Sequence, residues 1–151
     1  MNIGPATGDD YEWCAQLMVR SEPWITLGRG LETCRARCTH PEHLLFVARA
    51  AGGTRAGFVI MHPRGVAGSP YIATIAVAEE FRCQGAGSRL IEFVESYFRE
   101  SSRHIFLCVS SFNTHARRLY ERLGYHVVGE FPDYVIEGAS EILMIKRLDR
   151  P

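Results

Sequence analysis

The stretch FRCQGAGSRL, residues 81–90, sets two glycines and two arginines between a β-like segment and a helical one. Upstream, PYIATIAV (70–77) is rich in β-branched residues, as extended strands are. Downstream, Leu90, Ile91, Val94 and Phe98 recur at helical spacing and predict a helix from about Ala86 to Glu100. Gly85 and Gly87 therefore fall where a strand ends and a helix begins. The first turn of a helix carries unpaired N–H groups and a partial positive charge. Glycine lets a ligand come close to that backbone, and Arg82 and Arg89 add charge. Such a junction is an anion cradle, suited above all to phosphate. Its plainer alternative is a tight strand-to-helix connection.

Working outward, LLFVARA (44–50) and AGFVIMH (56–62) read as the arms of a hairpin turned by AAGGTR. HIFLCV (104–109) is a further strand. Asn113 is a natural N-cap for a helix bearing Ala116, Leu119, Tyr120 and Leu123, which Gly124 ends. YHVVGEF and SEILMIKRL (140–148) close the chain as two strands. At the other end, residues 2–5 suit a short strand. Thr7 or Asp9 can cap a helix to about Arg20, with Trp13, Leu17 and Cys14 inward. A second short helix fits Leu31 to Thr39, before Pro41. The order is a hairpin, strand, helix, strand, helix and two strands behind an N-terminal helical segment. That is a mixed α/β sheet with helices on its faces.

The totals agree with one soluble domain: 151 residues, 46% hydrophobic and 23% charged. Lys+Arg and Asp+Glu balance at 17 each, which argues against a general nucleic-acid binder or a membrane-surface protein. No apolar run reaches the length of a membrane span, and the N-terminus lacks a secretory pattern. The five cysteines, an odd number, then suggest free thiols and a cytoplasmic location. Cys34, Cys38, His40 and His43 offer metal-ligand chemistry within ten residues. Zinc fingers need a longer loop between ligand pairs, so two buried thiols followed by two surface histidines is expected, with no metal.

Which phosphate cradle is it? A nucleoside-triphosphate loop needs Gly-x4-Gly-Lys-Ser/Thr, and none occurs. A dinucleotide fingerprint needs a third glycine where Leu90 stands, after the first strand. Arg82-x2-Gly85-x-Gly87, following Ile75-Ala76-Val77, instead resembles the acyl-CoA pyrophosphate loop of the GNAT N-acetyltransferase superfamily. NTHARRLYERLGY, from Asn113, is similar to a second signature of that superfamily. It matches at Asn113, Ala116, Leu119, Tyr120, Leu123, Gly124 and Tyr125. The likeness is clear over residues 70–128 and extends in strand order from about 44 to 148.

The resemblance implies a central, mostly antiparallel sheet with a V-shaped splay between the strands at 70–77 and 104–109. Acetyl-CoA would wedge there as cosubstrate. It implies that the backbone of Ile75, Ala76 and Val77 pairs with the pantetheine amides, with one N–H, that of Val77, directed at the thioester oxygen. The cradle from Arg82 through Cys83, Gln84, Gly85, Ala86 and Gly87 to Ser88 would take the pyrophosphate, with Asn113 and Ala116 also at the cofactor. Tyr120 is the candidate general acid, since a phenol of pKa about 10 can hold a proton for a departing thiolate. Its alternative is a core tyrosine, and the alternative for Asn113 is a helix cap alone.

The general base stays open. Some relatives carry a glutamate early in the strand ending at Val77, a position that falls near Tyr71 in this chain. The ribosomal-protein alanine acetyltransferases carry one on the next strand, where Cys108 stands here. Glu79 and Glu80 read as a solvated turn. Cys108 is expected to be an inert buried thiol rather than an acyl carrier.

The acceptor is expected over SEPWITLGRG (21–30) and FPDYVIEGAS (131–140), with Glu22, Trp24, Tyr71 and Tyr134 in its site and Asp133 and Glu137 nearby. Acidic groups beside aromatic walls suit a protonated amine. The function implied is transfer of an acetyl group to a small amine or amino-acid-like acceptor in a ternary complex. A protein N-terminal or lysine acetyltransferase, with a peptide acceptor, and a non-catalytic acyl-CoA sensor are the alternatives. A homodimer is also implied, with neither nucleic acid nor membrane as partner.

Overall fold

The computed structural model describes residues 1–149. Seven strands form one sheet: β1 (Asn2–Pro5), β2 (Leu44–Arg49), β3 (Arg55–Val66), β4 (Ser69–Val77), β5 (His104–Ser110), β6 (His126–Pro132) and β7 (Ser140–Arg147). Their spatial order is β1-β2-β3-β4-β5-β7-β6. Every neighbouring pair is antiparallel except β4 and β5. Four helices accompany them: α1 (Asp10–Val19), α2 (Leu31–Cys38), α3 (Ala86–Phe98) and α4 (Thr114–Arg122). The mixed α/β order expected from the sequence is the one observed. β3 runs beyond the expected 56–62, and α3 ends at Phe98.

Strand alternation divides the core in two. On one face Val59, Met61, Ile72, Ile105, Leu107, Val109, Ile142 and Met144 pack against Leu90, Ile91 and Val94 of α3 and Tyr120 of α4. On the other, Leu45, Val47, Phe58, Ile60 and Ala76 pack against Cys14, Leu17 and Met18 of α1 and Cys34 and Cys38 of α2. This second core takes residues from β2, β3 and β4 but none from β5, β6 or β7. The α1–α2 layer therefore stops at β4. Beyond it, the same face of β5 and β7 has no helix over it among the described residues.

Two irregularities shape β4. Ile60 pairs with Thr74 and Met61 with Ile72, so Ala73 is an extra residue in a β-bulge. The bulge reverses the alternation. Ile72 faces the α3 side, yet after the bulge it is Ile75 and Val77 that face α3, and Ala76 faces α1 and α2. The second irregularity is the pairing with β5, which has only two registered pairs, Tyr71 with Phe106 and Ile72 with Leu107. From Thr74 to Val77, β4 is paired on its β3 edge alone.

At the helix ends, the Asn113 Oδ1 accepts from the Ala116 N–H at 3.4 Å, the cap that the sequence predicts. Gly124, at φ +94°, turns the chain out of α4, and the Tyr125 N–H donates to the Tyr120 carbonyl at 3.0 Å. At α1 the expectation is corrected. Neither Thr7 nor Asp9 caps with its side chain; the Asp10 carboxylate accepts from the Thr7 N–H at 2.9 Å instead. Asp10 prefers this inward position because Arg49 and Arg55 meet the same carboxylate, each at 2.7 Å.

Candidate active site

Where β4 and β5 part, a cleft of about 1190 Å³ opens, running from the cradle after β4 to the uncovered face of β5 and β7. Its floor near the cradle is the free edge of β4. The Ala78 N–H donates to the Ala56 carbonyl on β3 at 2.9 Å. Successive amides of a strand point to opposite edges, so the N–H of Val77 points into the opening. The Val77 carbonyl shares that edge and accepts from the Arg82 Nε at 3.1 Å. Ile75, Ala76 and Val77 all line the cleft.

The cradle itself departs from a plain connection. Cys83 has φ +58° and Gly85 φ +82°. Left-handed residues placed this close together curl the backbone so that its N–H groups converge, as in anion-binding nests. No side chain caps the N-terminus of α3, so its first-turn N–H groups keep no capping partner. Gly85 is required by its backbone angle. Gly87 is not: an added Cβ would meet Leu119 at 3.4 Å, an ordinary contact, so its smallness serves the space in front of the helix.

Most of the residues singled out in the sequence come together here. Arg82, Cys83, Gly85, Ala86, Gly87, Ser88, Asn113, Ala116 and Tyr120 line the cradle half, and Glu22, Trp24, Tyr71 and Tyr134 line the other. Gln84 does not: its side-chain amide folds back to donate to the Glu80 carbonyl at 2.7 Å. Asp133 turns to its own loop, where its Oδ1 accepts from the Gly138 N–H at 2.7 Å. Glu137 is exposed and away from the cleft wall. Glu79 and Glu80 lie in an exposed 3-10 turn, as expected. Cys34 and Cys38 are buried in the α1–α2 core, with burial pushing the Cys38 thiol up to about 12. His40 stacks on His43 outside that core.

Tyr120 is 6% exposed, wedged into the α3-side core with its ring edge-on to Tyr125. Burial alone holds its phenol well above the ordinary value, so it keeps its proton at neutral pH. Core tyrosine and cleft-lining tyrosine are thus one residue, not alternatives. Trp24 combines the two roles likewise, 7% exposed in the α1–α2 core and also on the cleft wall. The Glu22 carboxylate is engaged locally, accepting from the Thr26 N–H at 3.2 Å and the Thr26 hydroxyl at 2.9 Å.

Sequence reasoning missed a carboxylate in the acceptor half. Glu141 of β7 pairs across with Ser110 of β5, whose hydroxyl donates to its Oε1 at 2.6 Å. Leu107 and Val109 face α3, so Cys108 and Ser110 face the opposite, uncovered side, and Glu141 with them. Tyr71, opposite in direction to Ile72, faces that side too. Burial, then the neighbouring Cys108 thiol, raises the Tyr71 phenol. Burial also raises Cys108, against a smaller lowering by Tyr71. The signal in the sequence was an acidic residue at the start of the otherwise apolar SEILMI.

Comparison with known proteins fits this geometry. Residues 9–125 match the model of the acetyltransferase (GNAT) family. The chain belongs to that family. An uncharacterized N-acetyltransferase of Methanocaldococcus jannaschii is 37% identical over 82 residues, 53% of each chain. The chain thus matches about half the length of this curated relative. A nourseothricin acetyltransferase structure is 26% identical, with a TM-score of 0.63 over 72% of this chain and 67% of that one. An aminoglycoside 6'-N-acetyltransferase solved with coenzyme A shares the fold at a TM-score of 0.80, over 100% of this chain and 99% of the other, at 19% identity. The GNAT fold expected from the two motifs is therefore the one the chain adopts, splay included.

Proposed function

We propose that the protein is an acetyl-CoA-dependent N-acetyltransferase that acts on a small amine. One observation carries this: a single cleft joins a free strand edge, a left-handed nest at a helix start, and a buried, protonated tyrosine. A bare anion site would need only the nest.

The residues fit acetyl-CoA in kind. The cradle from Arg82 to Ser88 offers converging N–H groups and a guanidinium to a pyrophosphate. The unpaired β4 edge offers backbone partners to the amides of a pantetheine arm. When bound, acetyl-CoA supplies an activated thioester carbonyl and a thiol leaving group. The Val77 N–H, held by the sheet in the opening, is placed to stabilise negative charge on a carbonyl oxygen without reorganising. Tyr120 holds a proton for the departing sulfur. Trp24, from the segment between α1 and α2, and Tyr71 of β4 give the acceptor half aromatic walls for the amine.

Direct attack in a ternary complex is favoured over an acyl-cysteine route, because burial keeps Cys108 a thiol and the thiolate is the nucleophile. The test is CoA release from acetyl-CoA across amines, amino acids, polyamines and short peptides, with mass spectrometry of products. N-acetylated product equal to CoA released is expected with a small acceptor. Product with peptides only would move the acceptor class to proteins. Tight acetyl-CoA binding with no product from any acceptor would overturn the enzyme in favour of a sensor.

A further inference from the structure

In the acceptor half of the cleft two arginines stand across from a glutamate, and Glu22, on the arginine side, has its carboxylate held by Thr26. On the β7 wall stands Glu141, bonded only to the Ser110 hydroxyl and making no ion pair among the described residues. On the facing wall stand Arg37 of α2 and Arg29 of the segment before it, which also make no ion pair among the described residues. Arg37 is fixed in place, its Nη1 donating to the carbonyl of the bulge residue Ala73 at 3.1 Å. That leaves the rest of its guanidinium for the cleft it lines. Tyr71 lies between the two walls, with both Arg37 and Glu141 acting on its phenol, in opposite directions.

The two charges face each other across the opening. Arg37 is anchored at Ala73 of β4 and Glu141 rises from β7, with β5 between them, so they line one cleft without forming an ion pair. A ligand carrying both an amine and an anion gives each of them a charge-assisted hydrogen-bond partner. A cation alone would leave the arginines unanswered, and an anion alone would leave the glutamate so.

We propose that this half of the cleft is a site for a zwitterion, an α-amino acid whose ammonium is received by Glu141 and whose carboxylate is received by Arg37, assisted by Arg29. It rests on the acetyltransferase reading for its purpose, but its binding chemistry does not depend on turnover. Arg37, Arg29 and Glu141 are specificity-determining residues for the acceptor, and the cradle is untouched by them.

The test is calorimetry on CoA-loaded protein, titrated with the proteinogenic α-amino acids, each beside its decarboxylated amine, with acetylation rates measured on the same pairs. At least one amino acid is expected to bind about 10- to 100-fold more tightly than its amine, the scale of a charge-assisted pair. Arg37→Gln should abolish that preference, whereas Glu141→Gln should weaken the amino acid and its amine alike, and both should leave CoA affinity unchanged. Arg29→Gln, at an exposed side chain, serves if Arg37→Gln disturbs the fold. Amines that bind as well as their amino acids, or no binding by any amino acid, would overturn the proposal. Selective binding without acetyl transfer would uphold it and overturn the enzymatic reading alone.

Discussion

Ile72 on β4 and Leu107 on β5 form the last registered pair between these two parallel strands, and the cleft begins immediately beyond them. One residue further along β4 is the Ala73 bulge. Bulges bend a strand and end its pairing. Here the bend leaves the edge of β4 open and also turns Ile75 and Val77 to the α3 face. A single inserted residue thus makes the opening and sets which side chains line it.

The cradle depends on Gly85. Its φ of +82° is costly for any residue with a Cβ, although nothing lies within 4 Å of the place a Cβ would occupy. Gly85→Ala is expected to lose about 1–2 kcal/mol of stability through the backbone alone. Its affinity for CoA should fall about tenfold, and that for desphospho fragments lacking the pyrophosphate should not change. Denaturant unfolding with calorimetry of both ligands checks this. Unchanged CoA affinity would detach the left-handed turn from ligand binding.

Cys108 is half-buried; burial raises its thiol, more than the Tyr71 hydroxyl lowers it, and Glu141 adds a smaller raising effect. Cys108→Ala is expected to keep kcat within about twofold, the scale of a change below ~0.5 kcal/mol. Incubation with acetyl-CoA alone should leave the protein mass unchanged. A stable acetyl adduct on Cys108, competent to acetylate an amine, would replace direct attack with a two-step route.

Asp10 is 0% exposed and joins β2 and β3 to α1 through Arg49, Arg55 and the Thr7 N–H. Burial would raise its carboxyl, but the Thr7 N–H and the two guanidiniums together hold it below the ordinary carboxylate range. A depressed folded value contributes stability that is complete above the unfolded value of about 4 and is lost as pH falls through the folded one. Thermal unfolding of the wild type is therefore expected to shift to lower temperature below about pH 4. Asp10→Asn should lose about 2–3 kcal/mol at pH 7. That is less than the ~3–5 of a wholly buried pair, because the arginine side chains remain 34% and 31% exposed. It should also flatten the acid limb. An unaltered limb would place the acid sensitivity elsewhere.

Much of this was legible in the sequence because it is written in local chemistry. Gly85 marks a backbone angle, Asn113 a cap, and Gly124 a helix exit, and each is where it was expected. The apolar periods of α3 and the β4 strand fixed the elements on either side of the cradle. What escaped was non-local. The bulge at Ala73 is a register property of two strands, and nothing in PYIATIAV distinguishes it. Glu141 reaches the site through its pairing with Ser110, 31 positions earlier in the chain. Arg37 reaches it because α2 lies over β4. Glu95 is similar: buried at 5% exposure, it accepts from Tyr125 at 3.0 Å and Lys146 at 2.8 Å, a bond set that helix periodicity cannot announce. Gln84 shows the same limit locally, since adjacency to the cradle did not determine that its side chain turns back to the Glu80 carbonyl.

The most direct measurement compares product formation by the wild type and by Tyr120→Phe, with the acetyl-CoA Kd determined for both. The substitution keeps the buried ring and removes only the hydroxyl. The expected result is a fall in kcat of about 10²-fold with Kd unchanged, since a general acid contributes about 10²–10⁴ and water can replace part of it. Equal kcat in the two proteins would contradict the role of Tyr120 as the proton donor to the leaving thiolate.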